Sequence, residues 1–138
     1  MQPHYKNQQS KEEMAASFKI FFASLLLLLS ICSKGNCKQC EISSISVKQT
    51  NMGQKGGFDF QFEVEVKNLC NCAATSIFMK APGFASSSPV DPKLFRLEGN
   101  NYIVNDGKPI SSSSSMKFTY SWDHYFPMSP LSFNPLCK

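Results

Sequence analysis

Histidine is nearly missing from this chain, with 2 residues, and tryptophan occurs once. His124 is the sole histidine beyond position 4, and it adjoins Asp123 in a Trp-Asp-His-Tyr stretch. Successive side chains on a strand point to opposite faces, so this adjacency is no catalytic triad, and His124 reads as a surface loop histidine. An Asp-x-Asp metal motif is absent, which argues against a sugar-nucleotide transferase, and no glycine-rich loop is present to cradle phosphate. The acidic residues do not cluster as a glycosidase pair requires. A net charge of +4 without a dense Lys/Arg stripe argues against nucleic-acid partners. The chain carries no Asn-x-Ser/Thr acceptor for glycosylation, and no long segment repeats its apolar residues every 3.6 positions. These absences argue against an enzyme and against any cofactor.

Long hydrophobic runs are also lacking, apart from one. Ile20 to Cys32 is a 13-residue apolar stretch, preceded by Lys19 and followed by Ser33, Lys34 and Gly35. It falls short of the ~20 residues that span a bilayer, so no stable membrane anchor is expected. It fits the core of a signal peptide, with Ser30 and Cys32 at the −3 and −1 positions of a cleavage site. Residues 1–32 are therefore expected to be removed and 33–138 to form a single secreted domain. Met14 offers an alternative start, because Met-Ala-Ala-Ser-Phe-Lys makes a compact basic lead-in. Residues 33–138 retain 11 basic and 8 acidic side chains, a balance that says little about partners.

Cysteines lie at 32, 37, 40, 70, 72 and 137. An exported domain of this size is expected to close them into disulfides, each contributing ~2–4 kcal/mol. Cys32 leaves with the signal, so one of the remaining five is unpaired or bonded between chains. Cys37-x-x-Cys40 is half of a zinc knuckle, but with export and one histidine no metal is expected.

Two segments alternate apolar and polar residues over their length. Phe58, Phe60, Phe62, Val64 and Val66 interleave with Asp59, Gln61, Glu63, Glu65 and Lys67. Met116, Phe118, Tyr120 and Trp122 interleave with Lys117, Thr119, Ser121 and Asp123. Period two marks strands with one buried face. Further strand candidates are Ile45–Gln49, Ser76–Lys80, Leu94–Leu97, Tyr102–Val104 and Leu131–Phe133, separated by Gly53 with Gly56-Gly57, Pro82-Gly83, Asp91-Pro92, Glu98-Gly99-Asn100-Asn101 and Asn105-Asp106-Gly107. The serine run 111–115 reads as a flexible connection. Seven short strands with 12 phenylalanines predict an all-β fold, an antiparallel β-sandwich stabilised by disulfides. Cys70 and Cys72 share the parity of the inner face, while Cys40 precedes the first strand and Cys137 ends the last. A framework tying both chain ends to Cys70 and Cys72 follows, with its connectivity open.

The cysteines sit among segments that resemble the plant Tapetum Determinant family. Cys40 with Ile45-Ser-Val-Lys-Gln, Val64-Glu-Val-Lys-Asn, Cys70-Asn-Cys72, Gly83-Phe-Ala-Ser, Val90-Asp-Pro, Phe95-Arg96, Val104-Asn-Asp-Gly-Lys-Pro109, Phe118-Thr-Tyr120 and Cys137 carry the likeness over about residues 40–138. The family commonly has cysteines where this chain has Ala81 and Tyr102, which implies that one whole bridge is missing here.

The resemblance implies a small secreted signalling protein, non-catalytic and extracellular (apoplastic), whose partner is the ectodomain of a leucine-rich-repeat receptor kinase in cell-fate specification of the anther and tapetum type. Exposed aromatic and basic residues make the hot spots of such interfaces, and Phe95, Arg96, Asp106 and Trp122 are the expected contacts. Asn105, Asp106 and Gly107 also have a structural explanation, a tight turn that needs positive φ. The alternative is a cell-wall carbohydrate-binding module that stacks sugars on Trp122, Tyr125 and Phe126, against which stands a plainer packing role with Trp122 in the core and Tyr125 capping a sheet edge.

Overall fold

Hydrophobic alternation drives two sheets together, and the computed structural model, which describes residues 17–22 and 40–138, places all seven strands in them. The chain divides into two units, 1–38 and 39–138. In the first, residues 17–22 are helical and exposed. The expected signal segment otherwise lies outside the described residues, as do Met14, Cys32, Cys37 and the expected cleavage point. No helix among the described residues is long and apolar enough to cross a membrane.

The second unit begins with a 3-10 turn at Ile42–Ser44 and continues with β1 (Ile45–Gln54), β2 (Phe60–Asn68), β3 (Ala73–Lys80), β4 (Phe95–Glu98), β5 (Asn101–Val104), β6 (Ser115–Trp122) and β7 (Ser129–Leu136). One sheet has the order β1-β2-β6 and the other β4-β5-β3-β7, and every pairing is antiparallel. The register follows the alternation. Val66 stands opposite both Val47 and Met116, and Phe62 opposite both Asn51 and Tyr120. On the outer face Glu65 stands between Lys48 and Lys117, and Lys117 reaches the neighbouring Glu63 at 2.9 Å. Cross-strand pairs of this kind are the unit of sheet stability.

A single core joins the sheets. Ile45, Phe62, Val64, Val66, Phe118 and Tyr120 come from the first, and Ala74, Ile77, Met79, Phe95 and Val104 from the second. Phe84, in the connection after β3, is the hub of the aromatic packing, with edge contacts to Phe95, Tyr102, Tyr120 and Phe126 at 5.1 to 5.6 Å. Edge-to-face rings contribute beyond the area they bury.

The observed strands differ from the sequence reading at their ends. Strand β2 starts at Phe60 rather than Phe58, because Gly56 and Gly57 turn the chain at positive φ and leave Phe58 90% exposed. Strand β1 runs past Gly53, with a register shift between Asn51 and Gln54 that absorbs it. Strand β3 starts at Ala73, with Ser76 at φ 51° and an irregular register between Thr75 and Phe78. Such bulges bend a strand without ending it. Strand β7 is longer than expected despite Pro130 and Pro135, which suit an edge position. The outer edge of β6 is partly covered by 86–88, where the Ser87 amide donates to the Ser121 carbonyl at 2.9 Å.

Candidate functional site

The chain reversal between β2 and β3 gathers the four cysteines among the described residues. Cys40 is bonded to Cys70 and Cys72 to Cys137, with Cα separations of 5.3 and 4.8 Å. The start of the sandwich is thus stapled to Cys70 and its end to Cys72, which resolves the connectivity that spacing left open. Cys70 is buried, Cys40 and Cys72 are half-buried and Cys137 is exposed. The Sγ atoms of Cys40, Cys70 and Cys72 lie within 4.8 Å of one another. With these sulfurs bridged, none is the thiolate that a metal ion requires.

Asn68 organises this reversal, and the sequence reading passed over it. Its side chain is fully buried, donates to the carbonyls of Cys72 at 2.8 Å and Ile110 at 2.9 Å, and accepts from the Cys70 amide at 2.9 Å. The Ser112 hydroxyl donates to the Cys70 carbonyl at 2.6 Å, so the serine run grips the cysteine turn rather than merely connecting strands. The available signal was parity: Asn68 continues the buried face of Phe62, Val64 and Val66, where a polar side chain must find partners. Among the described residues every buried side-chain nitrogen or oxygen has one.

The four expected contact residues separate. Phe95 is 3% exposed, with its ring stacked on Phe118 at 4.4 Å and on Tyr102 at 4.7 Å, so it belongs to the core and not to a contact surface. Trp122, on β6 in the other sheet, is half-buried against Phe126 of the connection to β7. Arg96 and Asp106 do meet. Arg96 Nη1 donates to the Asp106 carboxylate at 2.5 Å and to the Pro92 carbonyl at 3.2 Å, while Nη2 donates to Glu98 at 3.0 Å. The hydrogen bond and charge of Arg96 hold Asp106 below the usual carboxylate range, and Asp106 in turn raises Arg96. This guanidinium already fastens β4 to two turns.

The Asn105-Asp106-Gly107 turn carries that carboxylate in an uncommon backbone, with φ of 54°, 55° and 72° at its three residues. Asn and Asp tolerate this left-handed region better than most side chains. At Gly107 a Cβ would come within 3.3 Å of Ile103 Cδ1, and its carbonyl accepts the Thr75 hydroxyl at 2.6 Å. The sequence reading needed positive φ at glycine alone; the structure has it at all three.

The aromatic cluster also separates. Tyr125 is 64% exposed, whereas Phe126 is 6% exposed and packs into the core, so the three rings make no common stacking platform. Asp123 and His124 are exposed and lie just beyond β6, in a bend. Contrary to the opposite-faces expectation, His124 Nδ1 meets Asp123 Oδ1 at 2.5 Å, because strand geometry has ended there. Ala81 and Tyr102, where the resemblance implies cysteines, line one open cavity of about 560 Å³ together with Pro82, Leu97, Pro127 and Met128. The Tyr102 ring packs on Phe95 and Phe84 at 4.7 and 5.5 Å.

The family described as Tapetum determinant 1, C-terminal, matches residues 41–137. An uncharacterized Arabidopsis thaliana protein, At1g05835, is 34% identical over 123 residues, covering 86% of this chain and 94% of its own. The TPD1 protein homolog 1 of Arabidopsis thaliana is 32% identical over 71 residues, 49% of this chain and 40% of the relative. The rice TPD1 protein homolog 1A is 32% identical over 69 residues, 44% of this chain and 30% of the relative. The matches thus span less than half of those two longer relatives. No solved structure matches. With the match running from just after Cys40 to Cys137, across the disulfide-closed sandwich, the chain belongs to the Tapetum determinant 1 family of plant proteins.

Proposed function

We propose that this protein is exported to the apoplast as a non-catalytic signalling ligand, recognised by the leucine-rich-repeat ectodomain of a plant receptor kinase that specifies cell fate. The observation that carries the reading is the family match across 41–137, a span that coincides with the stapled sandwich. Both bridges suit an oxidising compartment outside the cytosol. Recognition falls to exposed apolar side chains on a rigid frame, and Phe58, Leu97 and Tyr125 are 90%, 58% and 64% exposed. Rigid anchors of this kind limit the entropy lost on binding.

The test is saturable binding of the oxidised protein to a panel of leucine-rich-repeat receptor-kinase ectodomains, with a lectin-type ectodomain and cell-wall polysaccharide as controls. Retention by a leucine-rich-repeat ectodomain, weakened by Phe58→Ala or Tyr125→Ala in a protein that still folds, supports the ligand reading. Retention by polysaccharide alone, or by none of the ectodomains, sinks it.

A further inference from the structure

The two disulfides are neighbours, and their exposure is unequal. Cys137 is exposed, which leaves it open to an external thiol. Cys70 is 1% exposed. Between them stands Cys72, whose Sγ lies within 4.8 Å of the sulfurs of both Cys40 and Cys70. The Cys70-Asn71-Cys72 turn is held by hydrogen bonds as well as by its bridges. Asn68 grips the Cys70 amide and the Cys72 carbonyl, and Ser112 grips the Cys70 carbonyl. A Cys72 thiolate released from Cys137 would therefore stay beside the Cys40–Cys70 bond. The Cys72 amide donates to Cys70 Sγ at 3.2 Å. An N–H aimed at a sulfur stabilises negative charge on it and makes that sulfur the better leaving group.

We propose that Cys137 is a site of S-thiolation, coupled to an internal disulfide exchange that moves the free thiol from Cys72 to buried Cys70. The external thiolate, of the glutathione class, bonds to Cys137 Sγ, and the Cys72–Cys137 bond breaks with its electron pair on Cys72. The Cys72 thiolate then bonds to Cys40 Sγ, and the Cys40–Cys70 bond breaks with its pair on Cys70. Cys70 takes up the proton that the external thiol lost. One thiol is consumed and one appears, two disulfides become two disulfides, and no oxidant or reductant is used. Attack on Cys70 instead would close a bridge across a single residue, a span that disfavours relaxed disulfide geometry. The exchange has a consequence for the adduct. With Cys72 committed to Cys40, it no longer expels the thiol from Cys137, and the modification persists.

The test uses oxidised protein whose pre-existing thiols have been blocked, exposed to a limiting amount of reduced glutathione, quenched in acid and alkylated after denaturation. Cys70 and Cys72 share one tryptic peptide, 68–80, so fragment ions between them locate the alkyl label. The expected result is glutathione on Cys137, the label shifted from Cys72 to Cys70, and a new Cys40–Cys72 cross-link. Label on Cys72 with Cys40–Cys70 intact overturns the exchange, and failure of Cys137 to take glutathione overturns the site. A second arm needs no added thiol. Cys137→Ser leaves Cys72 without its partner, and a free thiol at Cys70 is expected, whereas one retained at Cys72 refutes the relay. If that variant fails to fold, the glutathione arm on the unaltered protein decides alone.

Discussion

Asn68 does more for this fold than its single side chain suggests, because three backbone groups around the cysteine turn depend on it. Asn68→Ala removes their partners inside a buried site, and a stability loss of about 2–4 kcal/mol is expected in urea unfolding. A loss no larger than that of a surface substitution would mean that water replaces the amide. Arg96 and Asp106 make a different kind of contact, exposed and salt-sensitive. Because Arg96 lowers the Asp106 pKa, the carboxylate contributes stability that is complete above the usual carboxylate range and is lost as pH falls through its lowered value. Asp106→Asn keeps a residue that tolerates the left-handed backbone. It should lower the melting temperature at neutral pH, with the gap to the unaltered protein closing in strong acid. A gap that stays constant with pH would assign the effect to the turn rather than to the charge.

Elements are tied together by Tyr120, which is buried on β6, donates to Gln49 of β1 at 2.7 Å and accepts from the Phe126 amide at 3.2 Å. Gln49 completes the ring by donating to the Phe126 carbonyl at 2.7 Å, so one hydroxyl links the far strand of the sheet and the crossing to β7. Tyr120→Phe should cost about 1–2 kcal/mol near neutral pH. Burial raises the Tyr120 pKa, so its stability is present below the ordinary tyrosine value and is lost as pH rises through the raised one. The variant should therefore lose less stability than the unaltered protein on going to alkaline pH; identical alkaline limbs would place the titration elsewhere. At this scale the sequence was most readable, since period two over Phe60–Val66 and Met116–Trp122 names both the strands and their buried face. Ends were less readable, because alternation at Phe58 continues into a glycine turn that takes it out of the ladder. Strand β7 was partly hidden by its two prolines, which an edge tolerates and a pattern search penalises. The contact residues were least readable. Apolar character marks Phe95 and Phe58 alike, and only the register, with Phe95 opposite Val104, puts one in the core and leaves the other in water.

At the scale of the whole sandwich, the two bridges among the described residues close loops with sequence separations of 30 and 65 residues. Loop-closure entropy alone assigns about 3.6 kcal/mol to the shorter and about 4.3 kcal/mol to the longer, which ranks Cys72–Cys137 first. Burial reverses the order. Replacing Cys40 and Cys70 by serine puts a hydroxyl where the Cys70 sulfur is 1% exposed, while replacing Cys72 and Cys137 changes half-buried and exposed positions. Cys137 also stands beyond the last ladder pair, Ala73 with Leu136, so the β3–β7 ladder does not run through it. The Cys40→Ser/Cys70→Ser protein should accordingly have the lower urea midpoint, and Cys72→Ser/Cys137→Ser should lose about 2–4 kcal/mol while keeping its strand content. Midpoints ranked by loop length instead would mean that the denatured chain, and not the packing around Cys70, sets how much each staple contributes.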